Sequence, residues 1–429
     1  MFDDPAPHVF KTTDYGKTWT RLTAGLPPQG FVWVVRQDPK NPRLLWAGTE
    51  LGLYASHDEG KSWRRLHLKN FPTVAVHDIL IHPRENDLIL GTHGRALWVF
   101  DDATPLQQLD LAAPLQAQLF DVRPALRFPS RFTRYGLGDK EFKAPNPPPG
   151  ALITYALPEK MAPDEAVKTE GSEAKKAEKK PERVKLEILD GAGQVIRAVK
   201  KLGLEKGLSR VAWDLRYDAP FPRKETEEAA SEFGPPPGGP YALPGTYTAR
   251  LTVDGKAYEK PVVVRVDPLV KTSAAALQAQ FGMAEALIGM RSELNRTLRG
   301  LDATKAQLDE RRKLAKQLGR GPEGELEAQL AKAEAKLKEI TDALARPEGQ
   351  PNYASGPRLA EQLQAFSGDV DGAFATPTAP QQEFFSELAE QLRQALARAD
   401  AFQKEALGGL NEALLRSELP PVVASRPKP

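Results

Sequence analysis

The residues best suited to contact a ligand lie in a short glycine-flanked segment, Gly91-Thr92-His93-Gly94-Arg95. Its histidine and arginine offer polar groups, and the flanking glycines give the backbone freedom to adapt. The segment separates two predicted strands, and connecting loops of this kind carry binding residues in many folds. His93 and Arg95 are therefore the candidate ligand-contacting residues. The alternative interpretation is a simple turn with a solvent-facing arginine.

Catalysis and metal binding have less support in the sequence. Glycoside hydrolysis needs two carboxylates on opposite sides of a sugar, and no spacing in the chain assigns such a pair. His77, Asp78 and His82 are metal-ligand types, but they are spread over a predicted strand and turn and are better explained as packing and turn residues. The chain has no cysteine, which excludes thiolate metal sites, disulfides and cysteine nucleophiles. We expect no catalytic residue, metal or cofactor.

The candidate segment belongs to a repeated pattern. Thr12–Trp19 and Ser56–Trp63 both read [Ser/Thr]-x-Asp-x-Gly-x-[Ser/Thr]-Trp and lie 44 residues apart, a length typical of one four-stranded propeller blade. The Asp can accept backbone N–H bonds within a tight turn, the Gly supplies a positive φ, and the Trp buries a large flat surface. We therefore expect a structural role for six residues: Asp14, Gly16, Trp19, Asp58, Gly60 and Trp63.

This pattern resembles the Asp-box, or BNR repeat, of bacterial propeller proteins related to sialidases, xyloglucanases and sortilin-type receptors. The resemblance implies a β-propeller with the box on an outer hairpin, away from the ligand face. It also implies an extracellular or periplasmic location, although the sequence contains no signal peptide. A third, eroded copy ends near Asp102. Because a closed propeller needs at least about four blades, residues 1–125 are expected to be the C-terminal blades of an incomplete propeller. The remaining blades would come from the same parent chain or from a partner chain.

The rest of the chain is predicted to form two further regions after a proline-rich linker at 126–150. Residues 151–268 show strand patterns at 184–189, 194–199, 209–215, 245–253 and 258–266 and resemble the immunoglobulin-like domain of flagellar hook-capping proteins. This sandwich would have disordered insertions at 163–183 and 221–240. Its expected core residues are Trp213, Leu215, Tyr247 and Leu251.

Beyond the sandwich, residues 269–429 are predicted to form a helical bundle with a disordered tail. Apolar stripes at 277–288, 326–344 and 385–402 recur with helical spacing. Ser273 is a predicted N-cap, and Thr378 with Gln381 forms a capping-box pattern. The stripe at 326–344 leaves dimerisation open as an alternative to packing within the bundle.

Composition and motifs together favour a multidomain protein of mainly β plus α structure. A net charge of +2 argues against nucleic-acid binding through bulk charge, and no apolar run is long enough for a membrane span. The leading hypothesis is a non-catalytic C-terminal fragment of a secreted propeller protein that binds a carbohydrate or protein ligand and supports assembly. The alternative is the C-terminal part of a glycoside hydrolase whose catalytic carboxylates lie in blades outside this chain.

Overall fold

The computed structural model describes residues 4–68, 70–109, 113–129, 144, 146–161, 183–224, 238–318, 324–347 and 356–423. The chain forms two compact units. The first comprises Met1–Arg127, Thr133–Asp214 and Pro244–Arg265, and the second comprises Phe128–Phe132, Leu215–Leu243 and Val266–Pro429. Antiparallel sheets build the first unit and helices build most of the second, so the predicted combination of β and α structure is confirmed at this level.

Three antiparallel sheets follow the 44-residue repeat. Their strands are β1 Phe10–Lys11, β2 Thr20–Arg21, β3 Val32–Gln37, β4 Leu45–Thr49, β5 Gly52–Ser56, β6 Arg64–Arg65, β7 Val76–Ile81, β8 Leu88–Thr92 and β9 Leu97–Phe100. They pair as β1-β2, as β3-β4-β5-β6 and as β7-β8-β9. The β1-β2 pair is equivalent in the repeat to β5-β6, since both are joined by the Asp-box pattern. Neighbouring strands pair by short hairpins, as alternating sequences with tight turns predict.

The β3–β6 sheet and the β7–β9 sheet, the two larger sheets of the repeat, each have two faces, which we call forward and rear. Residues paired across antiparallel strands lie on the same face. The forward face of the β3–β6 sheet carries Val34, Trp46, Gly48, Leu53 and Ala55. It packs in one buried cluster against the rear face of the β7–β9 sheet, which carries Ile79, Leu88, Leu90, Trp98 and Phe100. The rear face of the β3–β6 sheet carries Val35, Leu45, Ala47 and Tyr54 and packs in a second cluster with Val9, Leu26 and Trp63. Burial of these faces is the main stabilising contribution.

Gly48 lies where the backbone of β7 closely approaches the β3–β6 sheet. A Cβ atom added there would lie 2.4 Å from the carbonyl oxygen of Val76 and 2.8 Å from Cγ1 of Val34. Any larger residue would force the two sheets apart, so the sequence must place a glycine at this position. The equivalent Gly91 has no such contact, and a Cβ there would meet nothing closer than 3.7 Å.

Two more sheets complete the first unit. Their strands are β10 Gln118–Leu119, β11 Ala125–Arg127, β12 Ala151–Leu157, β13 Val184–Leu189, β14 Val195–Val199, β15 Gly207–Trp213, β16 Gly245–Val253 and β17 Lys256–Val266. The strand orders are β10-β12-β15 and β11-β17-β16-β13-β14. A short helix, α1 Thr104–Gln108, precedes them.

These two sheets correct the predicted boundaries of the β region. β10 and β11 pair with β12 and β17, so these sheets begin near residue 118 and the predicted linker at 126–150 starts within a strand. The buried strand β12 was not predicted, because its seven residues form a continuous apolar run without alternation. The expected core residues Trp213, Leu215, Tyr247 and Leu251 are all buried.

The second unit is built from long amphipathic helices. They are α2 Ala274–Gln317, α3 Glu325–Leu344, α4 Leu359–Gly372, α5 Ala379–Ala401 and α6 Leu407–Arg416, with a π-helix at Phe402–Ala406 between the last two. Ser273 caps α2 and Thr378 forms a capping box with Gln381 at the start of α5, as predicted. Helix α4 was not predicted, although its buried residues Leu359, Leu363, Phe366 and Val370 recur at helical spacing after the proline-rich break.

The apolar stripe of α3 is buried inside this unit. Leu330, Leu337 and Leu344 belong to the same core cluster as Leu294 and Leu308 of α2. The stripe is therefore occupied by contacts within the chain, and the alternative that it mediates dimerisation is not supported. Among the described helices, none combines the length and apolarity that a membrane crossing requires.

The predicted insertion at 221–240 makes defined contacts at both of its ends. The backbone N–H of Phe221 donates to Ser292 Oγ at 3.1 Å, and Arg223 pairs with Asp302 at 2.8 Å. At the other end, the N–H of Gly239 donates to the carbonyl of Tyr217. The prediction of disorder is therefore wrong for these ends, because polar groups of α2 and of the flanking chain bind them. Residues 225–237, residues 163–182 of the predicted insertion at 163–183 and the tail from 424 lie outside the described residues.

We predict that Gly48→Ala destabilises the first unit by about 1–3 kcal/mol, because the added methyl group overpacks the contact between the sheets. Gly91→Ala is the matched control and should change the free energy of unfolding by less than about 0.5 kcal/mol. Urea denaturation followed by tryptophan fluorescence measures both, since five of the six tryptophans lie in the first 98 residues. Equal losses in the two variants would show that the sheets do not meet at Gly48.

Candidate functional site

A β-bulge occurs at the same repeat position in both larger sheets. The pairing of β3 with β4 shifts between Val32 and Val34, which leaves Trp33 unpaired. The pairing of β7 with β8 shifts in the same way between Val76 and Asp78, which leaves His77 unpaired. Trp33 and His77 are 44 residues apart. A bulge bends its strand and redirects a side chain, and bulges are frequent beside functional sites.

The bulges bring four exposed rings into one contiguous surface. Trp33 and His77 lie with ring centroids 4.2 Å apart, Phe31 meets Trp33 edge-on at 6.0 Å, and His93 stacks on His77 at 5.1 Å. All four side chains are solvent-exposed, including 41 % of Trp33. We call Phe31, Trp33, His77 and His93 the aromatic row. A contiguous exposed set of rings is a candidate binding surface.

The turns beside the row are also equivalent in the two sheets. Glu50 and His93 each follow a Gly-Thr pair, and their backbone N–H groups donate to the carbonyls of Phe31 and Ala75, both at 2.9 Å. These bonds hold each turn against the residue that precedes the first strand of its own sheet. In the first turn, Trp33 Nε1 donates to Glu50 Oε2 at 2.8 Å, which orients the indole.

The row offers both apolar ring faces and polar groups. Within the described residues, no protein group hydrogen-bonds to the imidazole nitrogens of His77 or His93, so these nitrogens face solvent and can bond to a ligand. Glu50 keeps one carboxylate oxygen beyond the one that binds Trp33. The arrangement suits a ligand with a weakly polar face and hydroxyl groups at its edge.

The structure brings one of the two sequence candidates into this row. His93 stacks on His77, whereas Arg95 lies further along the same turn, where its Nη1 donates to the Gly94 carbonyl at 3.3 Å. Sequence reasoning missed Phe31, Trp33 and Glu50 as site residues, and it assigned His77 to packing. The 44-residue alignment of Trp33 with His77 was the signal that could have found the bulged pair.

His77, Asp78 and His82 do not converge on a metal position. Asp78 pairs with Arg36 at 2.8 Å, and His82 Nδ1 accepts the backbone N–H of Glu85 at 3.0 Å. Across the part of the chain that the structure describes, no three His, Asp or Glu side chains gather closely enough to hold a metal ion.

A buried polar cluster lies at the turns that follow the first strand of each larger sheet. Gln107 Nε2 of α1 donates to Asp38 Oδ2 at 2.9 Å and to Asn86 Oδ1 at 2.9 Å, and Trp46 Nε1 donates to the same Asp38 oxygen at 3.1 Å. These hydrogen bonds satisfy one another, so the cluster joins the two turns through α1. Its role is structural.

The two Asp-box hairpins have the same hydrogen bonds. Asp14 accepts the backbone N–H of Thr18 at 2.9 Å and its hydroxyl at 2.6 Å, and Asp58 does the same with Ser62 at the same two distances. Gly16 and Gly60 have φ of 87° and 90°, the left-handed conformation that the turn requires.

These bonds lower the pKa of both aspartates. The hydroxyl and backbone N–H of Thr18 are the leading causes for Asp14 and lower its pKa to about 2. For Asp58, burial acts to raise the pKa, but hydrogen bonds from Ser62 and Ser56 outweigh it and the pKa is lowered. Both carboxylates are therefore ionised acceptors committed to the turn.

The two box tryptophans differ in their environment. Trp63 is 3 % exposed, and its Nε1 donates to the carbonyl of Leu22, while its backbone N–H donates to Ala24. Trp19 is 61 % exposed and its Nε1 donates to Gly16 within its own hairpin. The expectation that both tryptophans are buried is therefore wrong for Trp19, since the segment that covers Trp63 has no counterpart over Trp19 among the described residues.

Comparison with known proteins adds little to this geometry. No family model matches the chain, and no curated protein matches it. Among solved structures, the chain is similar to the extracellular domain of a putative one-component system from B. thetaiotaomicron, with 10 % sequence identity and a TM-score of 0.19. That match covers 61 % of this chain and 28 % of the other, so the chain spans less than a third of that structure.

We expect Trp63→Ala to cost about 3–5 kcal/mol of unfolding free energy, as for other buried aromatic side chains. Trp19→Ala serves as the matched control, because it removes the same side chain from the same motif at an exposed position, and should cost less than about 1 kcal/mol. Thermal and urea melts followed by circular dichroism give both values. A loss at Trp19 as large as at Trp63 would place Trp19 in a buried contact.

The pKa of Asp14 gives a separate test of the hairpin. Because the folded pKa is lowered, the stabilisation it provides is present at neutral pH and is lost as the pH falls towards about 2. NMR titration of the side-chain carboxyl should give a midpoint near that value. Thr18→Val should raise the midpoint and Thr13→Val, which alters the neighbouring exposed threonine, should leave it unchanged. A midpoint close to that of a free aspartate in the unmodified chain would contradict the hydrogen-bonding scheme.

Proposed function

We propose that this protein is a non-catalytic carbohydrate-binding protein and that the aromatic row is its binding surface. The observation that carries the proposal is the repeated bulge, which presents Trp33 and His77 as exposed, contacting rings at equivalent positions of two sheets. In the same proposal, the three antiparallel sheets are blades of an Asp-box propeller and the row lies on its ligand face. The 44-residue equivalence of strands, boxes and bulges supports this assignment.

The chemistry of the row favours a sugar over other ligands. A pyranose ring has C–H groups on its faces and hydroxyl groups at its rim. The C–H groups carry slight positive charge and are attracted to the electron-rich face of an aromatic ring. The imidazoles of His77 and His93 and the carboxylate of Glu50 supply donors and acceptors for the hydroxyls.

The size of the row favours a short ligand. Neighbouring ring centroids are between 4.2 and 6.0 Å apart, so the rings pack on one another in one compact group and not as a series of separated binding positions. We therefore propose that the protein binds a terminal sugar or a short oligosaccharide unit. A location outside the cytoplasm belongs to the same proposal and rests on the family resemblance alone.

Calorimetric titration of a panel of neutral mono- to tetrasaccharides of glucose, galactose and xylose tests the proposal. For a sugar that binds, Trp33→Ala should weaken the affinity about tenfold, which corresponds to about 1.4 kcal/mol. Trp19→Ala is the matched control, since Trp19 is an exposed tryptophan outside the row, and should leave the affinity within about twofold.

The same experiment separates the alternatives. Absence of binding across the panel, or equal loss in both variants, would contradict the proposal and favour a protein ligand. Release of free sugar during the titration, above a buffer blank, would favour the glycoside hydrolase alternative. We expect no such release.

A further inference from the structure

The β7–β9 sheet exposes an apolar face whose counterpart is buried. Its forward face carries Leu97 and Val99, which are 72 % and 56 % exposed. The equivalent residues of the β3–β6 sheet are Leu53 and Ala55, each 1 % exposed beneath the β7–β9 sheet. Leu80 of β7 adds to the same exposed face. The β7–β9 sheet therefore exposes the face that, in the β3–β6 sheet, is covered by another sheet.

The β1-β2 pair exposes the complementary surface. Phe10 and Trp19 are 51 % and 61 % exposed, whereas their equivalents Tyr54 and Trp63 are 6 % and 3 % exposed. Tyr54 and Trp63 belong to the cluster on the rear side of the β3–β6 sheet. Forward and rear surfaces of the same repeat, which pack on each other within the chain, are thus both exposed on one molecule.

We propose that these two surfaces bind each other in a second copy of this chain, head to tail. The forward face of the β7–β9 sheet in one copy, with Leu97 and Val99, packs on the β1-β2 pair of the next, with Phe10 and Trp19. The contact continues the packing already present between neighbouring sheets of the repeat. Because the two surfaces differ, the contact is heterologous, and further copies add in the same sense until a ring closes or a chain forms.

Surface complementarity supports a second copy as the occupant. The exposed residues are branched aliphatic side chains on one surface and aromatic rings on the other, the same division as in the buried cluster of Leu53 with Trp98 and Phe100. Gly91 on the forward face has no side chain, as is also true of Gly48 in the internal contact. The two surfaces carry no aromatic-row residue, so this contact and sugar binding are independent.

Complementary variants of the full chain test the proposal. Leu97→Glu removes the forward surface and Trp19→Glu removes the rear surface, and Leu269→Glu changes another exposed leucine as a control. Analytical ultracentrifugation should show concentration-dependent association of the unmodified chain and of the control. Each surface variant alone should remain monomeric with an unchanged circular dichroism spectrum, and its melting temperature should not depend on protein concentration.

An equimolar mixture of the two surface variants gives the decisive result. Each copy keeps one intact surface, so the mixture should form dimers that contain one of each variant and nothing larger. A mixture that stays monomeric, an unmodified chain that is monomeric at every concentration, or association that only one of the two variants disrupts would overturn the head-to-tail contact.

Discussion

The packing of two sheets at Gly48 is the contact on which the rest of the repeat region depends. The backbone of β7 approaches so closely that no side chain fits at this position. Across the same pair of sheets, the bulged residues Trp33 and His77 lie with ring centroids 4.2 Å apart. Arg36 reinforces the approach, because its Nε donates to the Ile79 carbonyl at 3.2 Å and its Nη2 binds Asp78. The site is therefore a product of sheet spacing as much as of the aromatic residues themselves.

Polar side chains have two different roles within the 44-residue repeat. The Asp-box turns are saturated with hydrogen bonds from Thr12 and Thr18 or from Ser56 and Ser62, which leaves their carboxylates no free role. The row, in contrast, leaves the imidazole nitrogens of His77 and His93 facing solvent. Groups that satisfy one another hold a fold together, and groups that remain open to solvent are available for a ligand. Within the 44-residue repeat, hydrogen bonding therefore distinguishes the structural Asp-box residues from the candidate binding residues of the aromatic row.

Much of the fold followed from sequence pattern. The strands Val184–Leu189 and Gly245–Val253 have their predicted bounds, because sequence pattern and turn residues mark them clearly. The fully buried strand Ala151–Leu157 escaped prediction because its apolar run does not alternate. Helix α4 was overlooked although Leu359, Leu363 and Phe366 recur at helical spacing. The site was predicted only through His93. Trp33 and His77 point outward because of a one-residue shift in strand pairing, and such a shift depends on tertiary spacing that a single sequence does not display.

The indole N–H resonances in a nitrogen–proton NMR spectrum test the central claim most directly. The chain has six tryptophans, and Trp46, Trp63 and Trp213 are buried and serve as internal controls. During titration with a sugar that binds, the resonance of Trp33 should shift, because its ring contacts the ligand and its N–H is held by Glu50, while those of the buried tryptophans stay in place. Binding without a shift of the Trp33 resonance, or with equal shifts of all six, would contradict a binding surface centred on the bulged rings.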